Sequence, residues 1–144
     1  MTYQDDLAHF IHLFETLSQE NVGALTELYT ADAFFKDPFN EVHGQTAIIK
    51  ILEHMFTQVD EPRFVVTRSI LQGEDAFIVW DFLFRLKDRG LAGQRIHGTS
   101  HVRFGPDHKV NYHRDYWDTA EELYEKIPLL GSLMRFLKRK VQAS

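Results

Sequence analysis

The sequence predicts an α+β protein, in which a cone-shaped, curved antiparallel sheet carries N-terminal helices on its concave face and is followed by a C-terminal helix. Three observations lead to this prediction. Apolar residues recur at helical spacing in the first part of the chain. From residue 63 onward the period changes, and four runs rich in β-branched and aromatic residues follow. Turn-forming sequences separate these runs, so consecutive strands are expected to be antiparallel neighbours with the helices on one face.

Three helices are predicted before the change of period. The first covers residues 4–18, whose leucine and phenylalanine side chains fall on one face. The second is short and covers residues 21–30, with Asn21 as its N-cap. The third covers residues 45–59, and Pro62 is expected to prevent its continuation.

Five strands are predicted. A short strand, AFFKDP, ends at Pro38. The other four form a meander over residues 63–72, 76–86, 94–104 and 109–118. A strongly bent sheet with helices on its concave side encloses a cone, and a cone wider than its side chains can fill is a ligand pocket.

Composition limits the possible classes of function. The 144 residues are expected to form one domain, with a core over 1–118 and a helical extension over 119–144. A net charge of −5 is a poor match for a nucleic-acid backbone, so no nucleic-acid partner is expected. Cysteine is absent, which excludes disulfides, thiolate metal sites and cysteine nucleophiles.

The beginning of the chain, MTYQDDLAHF, is acidic and does not read as a signal peptide. No apolar run is long enough to span a membrane, and a cytoplasmic location is therefore expected. Eight histidines are scattered over the sequence, whereas a zinc site needs three or four convergent ligands. No metal site is expected.

Asp37 is the first candidate for chemistry. It precedes Pro38 and is flanked by phenylalanines in AFFKDPF. An acid before proline is favoured by ordinary turn chemistry, so its neighbours alone suit a solvated turn residue. The alternative is a carboxylate held in an apolar pocket for proton transfer.

The last predicted strand carries the second candidate group. Alternation places His113, Asp115 and Trp117 on one face of the strand. An imidazole oriented by a carboxylate is a suitable acid/base pair. The alternative is a surface ladder with cross-strand partners such as Arg103, and Asp118 is a rival for the role of Asp115.

An aromatic stripe runs along the second strand of the meander, where Trp80, Phe82 and Phe84 alternate with Ile78 on the same face. Most such stripes are core. In a cone the core is also the pocket wall, so the stripe suits a flat, apolar substrate.

Three passages resemble the nuclear transport factor 2-like superfamily, which includes ketosteroid isomerase, the SnoaL-like polyketide cyclases and scytalone dehydratase. They are LYTADAFFKDPF, HGQTAI and HVRFGPDHKVNYHRDYWD. The resemblance implies the cone fold, a homodimer, and acid/base chemistry without a cofactor on a small apolar carbonyl compound. Such folds also host non-catalytic proteins, so the resemblance leaves open whether the chain is an enzyme.

The resemblance also assigns site residues. Asp37 falls on the general base of the isomerase, Leu13 on its oxyanion-hole tyrosine, and Ser100 on its protonated aspartic acid. Both strong oxyanion donors are thus replaced. Because the loss of one such donor costs about 2.7–4 kcal/mol of transition-state stabilisation, steroid isomerase activity is not expected. SnoaL-like cyclases use an acid near the end of the last strand, which points to Asp115 with His113. Leu13, Ser100, Trp80, Phe82 and Trp117 would contact the substrate.

The stretch after the last strand predicts one more helix, beginning at Pro128. It has an apolar stripe and four positive charges, at Arg135, Lys138, Arg139 and Lys140. The interpretation we favour is a helix docked on the domain, with its basic end suited to the helix dipole. The alternatives are a helix that contacts anionic lipid and a lid over the pocket mouth.

Two further functions are therefore weighed against an enzyme. A non-catalytic ligand-binding or adaptor protein would use the same pocket or the sheet surface. A membrane-peripheral accessory protein would depend on the basic helix alone.

Overall fold

The structure, a computed structural model, describes residues 1–86, 93–122, 136–137 and 139–141. Two helices and a 3-10 helix accompany one six-stranded sheet, and a one-turn helix follows it. In chain order the elements are α1 (Tyr3–Glu15), the 3-10 helix (Val22–Leu28), β1 (Tyr29–Lys36), β2 (Glu41–His43), α2 (Gln45–Gln58), β3 (Val59–Gln72), β4 (Asp75–Leu86), β5 (Gln94–Phe104), β6 (Val110–Tyr116) and α3 (Thr119–Glu122).

The sheet is curled and its strands lie in the order β2-β1-β6-β5-β4-β3. Strands β3 to β6 pair antiparallel in sequence, which confirms the predicted meander and the α+β class. Strand β1 pairs in parallel with β6, and β2 folds back on β1. The parallel pair and β2 were not predicted, because β2 has only three residues and the partner of β1 lies far along the sequence.

Two predicted boundaries need correction around β3. Helix α2 already ends at Gln58, and Pro62 lies inside β3. Proline is tolerated there because β3 is an edge strand. On its outer side no neighbouring strand would accept a hydrogen bond from the N–H group that proline lacks. The pairing of β3 with β4 shifts register twice, between Asp60 and Arg63 and between Val66 and Arg68, and such bulges bend a sheet.

The N-terminal helices also differ from their predicted bounds. Helix α1 ends at Glu15, and the second helix is a 3-10 helix that ends before Tyr29. Asn21 makes no side-chain cap; its amide group instead donates to the backbone carbonyl of Thr16 and accepts from the backbone N–H of Ser18. Its polar groups therefore stabilise the connection between the two helices.

The core lies between the helices and the inner face of the sheet. The alternating residues of β4 are buried there, as predicted for Ile78, Trp80, Phe82 and Phe84. The outer face keeps Ile70, Phe77 and Tyr116 exposed. Side chains on this face also stack, for example Phe77 on His101 with ring centroids 4.5 Å apart.

The predicted C-terminal helix lies mostly outside the described residues, as do the interpretations attached to it. The described part of that stretch, residues 136–137 and 139–141, is helical. Within the described ranges, no helix combines the length and apolar character needed to cross a membrane.

Candidate active site

A cavity of about 380 Å³ opens between α2 and the inner face of the sheet. Its walls are mainly aromatic and aliphatic, and they carry two carboxylates. The lining residues are Phe35, Asp37, Asn40, Lys50, Ile51, Leu52, His54, Met55, Phe64, Trp80, Phe82, Ile96, Asp115 and Trp117.

A smaller apolar niche of about 40 Å³ continues behind the cavity, under α1. Five side chains belong to both spaces and form their junction: Phe35, Leu52, Phe64, Trp80 and Asp115. Asp115 is the one ionisable side chain among the five, and it lines both the cavity and the niche.

A hydrogen-bonded network converges on Asp115. The hydroxyl of Ser100 donates to Oδ1 over 2.5 Å, and Nε2 of His113 lies 2.7 Å from the same oxygen. Among the described residues, no donor reaches Oδ2. One oxygen of Asp115 is thus held from two sides, while the other is left for a ligand.

The partners of His113 determine which of its nitrogens carries the proton. An ionised carboxylate only accepts hydrogen bonds, so Nε2–H donates to Asp115. The Tyr29 hydroxyl lies 2.8 Å from Nδ1 and donates to it when the imidazole is neutral. The His113 ring is 3% exposed among aromatic side chains such as Phe10 and Phe35.

Tyr29 is the functional candidate that sequence reasoning missed. It is fully buried, and burial, with a smaller contribution from the charge of Asp115, raises the pKa of its hydroxyl well above 10. Tyr29 therefore remains a donor at neutral pH. The sequence placed Tyr29 in the second predicted helix, over residues 21–30, and its position next to His113 depends on the parallel pairing of β1 with β6.

Trp80 is the outermost member of the network on the Ser100 side of Asp115. Its indole N–H donates to Oγ of Ser100 over 2.8 Å. The indole ring lies over Gly98 of β5, where a Cβ atom would come within 2.5 to 2.9 Å of three ring carbons. Glycine at this position is what allows the ring to reach Ser100.

Asp37 lines the cavity but is also a turn residue. Its Oδ1 accepts from the backbone N–H groups of Phe39 and Asn40, and the Asn40 side chain donates to both oxygens. This is the arrangement expected of an acid before proline. Asp37 is thus both a turn residue and part of the cavity wall, and its catalytic role stays a prediction.

The other candidates from the sequence are divided. Phe82 and Trp117 line the cavity, and Ser100 lines the niche. Leu13 is half-buried against the core and lines neither space. Asp118 is exposed, and its Oδ1 accepts from the first backbone N–H groups of α3, so Asp115 is the acid that faces the cavity.

Two basic side chains reach the cavity from α2. Lys50 and His54 lie one helical turn apart, and within the described part of the chain neither side chain makes an ion pair or a hydrogen bond. The amide of Asn40 and the indole N–H of Trp80 are already engaged. Among the described residues of the cavity wall, Lys50, which is exposed, is thus a cationic donor available to a polar group of a ligand.

Histidines on the outer face pair with acids of the neighbouring strand. His97 bonds to Asp81 over 2.7 Å, and His101 bonds to Asp75 over 2.8 Å. Both lie on the opposite face from His113. In the described ranges, no three side chains converge as ligands for a metal ion.

Comparison with known families supports the fold. The sequence profile of the SnoaL-like domain matches residues 10–113. No curated protein sequence matches the chain.

Solved structures are similar over most of the chain. A protein of Catenulispora acidiphila with a ketosteroid isomerase-like fold, in complex with trimethylamine, has a TM-score of 0.72 and 14% identity, covering 85% of this chain and 92% of the other. A proposed SnoaL-like polyketide cyclase from Shewanella putrefaciens has a TM-score of 0.69 and 18% identity, with coverages of 85% and 97%. A proposed hydroxylase from Streptomyces galilaeus has a TM-score of 0.71 and 14% identity, covering 91% of this chain and 98% of the other. At these identities the likeness shows the fold.

Proposed function

The chain belongs to the SnoaL-like domain family, and from this premise we propose that it is a cofactor-free acid/base enzyme acting on a small apolar carbonyl compound. The observation that carries the proposal is the position of Asp115. Its carboxylate is oriented by Ser100 and His113 and presents Oδ2 at the junction of two apolar spaces. A positioned carboxylate within reach of a carbon acid is what proton transfer requires.

In the proposed reaction, Oδ2 of Asp115 removes a proton from the carbon next to the carbonyl group. The electron pair of that C–H bond forms the enolate, whose oxygen is met by the ammonium group of Lys50. Asp115 then returns the proton to another atom of the same molecule, so no oxidant, reductant or cofactor is consumed. Isomerisation, ring closure and loss of a hydroxyl group all begin with this step.

The remaining residues would position the reacting groups. Tyr29 fixes the tautomer of His113, and His113 fixes Asp115. Trp80, Phe82 and Trp117 would form the walls against the substrate. Asp37 lines the same cavity and would relay the proton from Asp115 to the atom that receives it.

Proton abstraction can be tested without knowing the natural substrate. Indanone, tetralone and cyclohexenone are incubated with the protein in D₂O, and NMR follows deuterium incorporation at the carbon next to the carbonyl. We expect catalysed exchange that falls by at least about a hundredfold in Asp115→Asn, because general-base catalysis contributes on the order of a hundredfold or more. Asp118→Asn is the matched control and should exchange like the native protein.

A non-catalytic ligand-binding role is the second candidate. It is favoured by one observation, the engagement of the Asp37 carboxylate by donors of its own turn. Calorimetry on the same ketones separates the two functions. Binding combined with exchange at the rate of the buffer, for all three ketones, would favour the binding protein and refute the enzyme.

A further inference from the structure

The niche behind Asp115 restricts what a substrate can place beyond its reacting carbon. Phe10, Phe14 and Ile78 are buried and form much of its wall. Besides Asp115, its polar side chains Ser100 and His113 are bonded within the network. Among the described residues, no buried side-chain nitrogen or oxygen lacks a hydrogen-bond partner. Apart from Oδ2 of Asp115, which faces the reacting carbon in the proposed reaction, a polar substituent would find no free side-chain partner among the described residues of the niche, so an apolar one fits.

The volume of the niche sets the size of that substituent. It holds about 40 Å³, against a share of about 30 Å³ for one water molecule in the liquid. One methyl group fits, and an ethyl group fits with a small adjustment of the walls. A branched group of four carbons is too large.

The outer cavity sets the size of the rest of the molecule. Its volume of about 380 Å³ lies near the lower end of the range of about 300–1,000 Å³ for small-molecule sites. The walls, with Trp80, Trp117 and Phe64, suit a flat ring system. One or two rings fill such a space.

We propose that the substrate is a compact ketone of one or two rings that carries a methyl or ethyl group on its reacting carbon, and that the niche behind Asp115 holds this alkyl group. The inference rests on the proposed function, because the reacting carbon is the one placed at the junction beside Oδ2. It makes the niche a specificity-determining site, in which the alkyl group fixes the face of the carbon that is presented to Asp115.

The test is a binding series on one scaffold. Calorimetry compares indanone with its derivatives that carry a methyl, ethyl or tert-butyl group on the carbon next to the carbonyl. Burial of each added carbon is expected to tighten binding about fourfold, up to the ethyl compound. The tert-butyl compound is expected to bind more weakly than indanone itself. Equal affinities for all four, or tightest binding of the tert-butyl compound, would overturn the inference.

Variants of wall residues show which of the two spaces determines the size preference. Ile78 lines the niche and not the outer cavity, so Ile78→Ala should shift the preference to the tert-butyl compound. Met55 lines the outer cavity and not the niche, so Met55→Ala should leave the order of the series unchanged. Phe14→Leu enlarges the niche from α1 and replaces Ile78→Ala if that variant does not fold. A shift produced by Met55→Ala and not by the niche variants would also overturn the inference.

The series is repeated in Asp115→Asn, where proton transfer is removed. A size preference that persists in this variant supports the niche even if no ketone exchanges deuterium, in which case only the proposed function fails. Exchange by the native protein without any gain from the methyl group would leave the function standing and refute the niche.

Discussion

A single oxygen atom, Oδ1 of Asp115, receives two chains of hydrogen bonds. One chain passes from the indole of Trp80 through Ser100, and the other from Tyr29 through His113. When the His113 imidazole is neutral, every proton in these chains points toward the carboxylate. Four side chains from four strands thus fix one acid, and the loss of either outer donor should weaken the positioning of Asp115.

The Tyr29 hydroxyl can be removed with little change of shape. In Tyr29→Phe, Nδ1 of the buried His113 loses its donor, which is expected to lower the free energy of unfolding by about 1–3 kcal/mol at neutral pH. Denaturant titration of both proteins measures the difference. Tyr112→Phe is the control, since that ring lies on the outer face. An equal loss in both variants would contradict the assigned bond.

The raised pKa of Tyr29 gives a second expectation, for alkaline pH. Below the unfolded value of about 10 the hydroxyl is protonated in both states, and its contribution to stability is fully present. Above that value the unfolded state loses the proton first, so stability falls as the pH rises toward the folded pKa, by at most about 1.4 kcal/mol per pH unit. Tyr29→Phe should lack this part of the fall, as measured by denaturant midpoints from pH 9 upward, about one unit below the unfolded value.

Gly98 is needed for the position of Trp80. In Gly98→Ala the new methyl group would overlap the indole ring, so the ring must move and its bond to Ser100 is lost. We expect a destabilisation of about 1–3 kcal/mol and a change in tryptophan fluorescence. Gly23→Ala is the matched control, because a Cβ atom there meets nothing within 4 Å. An unchanged emission spectrum in Gly98→Ala would show that the close approach is not maintained.

Sequence reasoning located part of this site and missed the rest for a physical reason. The alternation of His113, Asp115 and Trp117 is local, and strand geometry alone places the three on one face. The contact of Tyr29 with His113 joins residues 84 positions apart and depends on strand pairing. Leu13 was placed by resemblance, and its half-buried position beside the core could not be derived from spacing.

At the level of elements, α1 is held against the sheet at both ends. Near its beginning the buried carboxylate of Asp6 bonds to Nδ1 of His108, in the β5–β6 turn, over 2.6 Å. At its end the carboxylate of Glu15 accepts from the backbone N–H of Val66 in β3. Between these anchors, Phe10 and Phe14 form the roof of the niche. The niche therefore depends on the docking of α1.

The anchor at Asp6 can be tested on its own. Asp6→Asn is expected to lower the free energy of unfolding by about 1–2 kcal/mol, because a hydrogen bond to a buried charged group is weakened. His108 has a φ angle of 63°, so its variant should be His108→Asn, a residue that tolerates this conformation. A double-mutant cycle of Asp6→Asn and His108→Asn should give a coupling free energy similar in magnitude to the loss in Asp6→Asn alone. Additive effects of the two variants would refute the anchor.

The elements differ in how far the sequence could define them. The four strands of the meander were predicted within a few residues, since each has its own alternation and its own turn. Helix α2 was predicted from its apolar period. The parallel pairing of β1 with β6 and the β2 hairpin depend on contacts across the chain, and no local pattern reports them.

At the scale of the whole molecule, the outer face of the sheet is the surface at which we expect two copies to meet. Ile70 and Phe77 are 67% and 45% exposed on this face, and Tyr116 is also exposed. The homodimer stays a prediction, which we expect sedimentation velocity to support. The double variant Ile70→Lys, Phe77→Lys should be monomeric, because it places charges on the apolar patch. A native protein that sediments as a monomer at the concentrations of the binding experiments would refute the dimer.

The pairing of β1 with β6 has a consequence for the protein as it is synthesised. Strand β1 leaves the ribosome long before β6, and until β6 arrives only β2 can cover one of its edges. An open strand edge is a template for pairing with other chains, and such late, long-range pairing is slow. The newly made chain therefore relies on β6 to protect the open edge of β1. Translation that stops within β6 should yield aggregates, and not a folded protein that merely lacks activity.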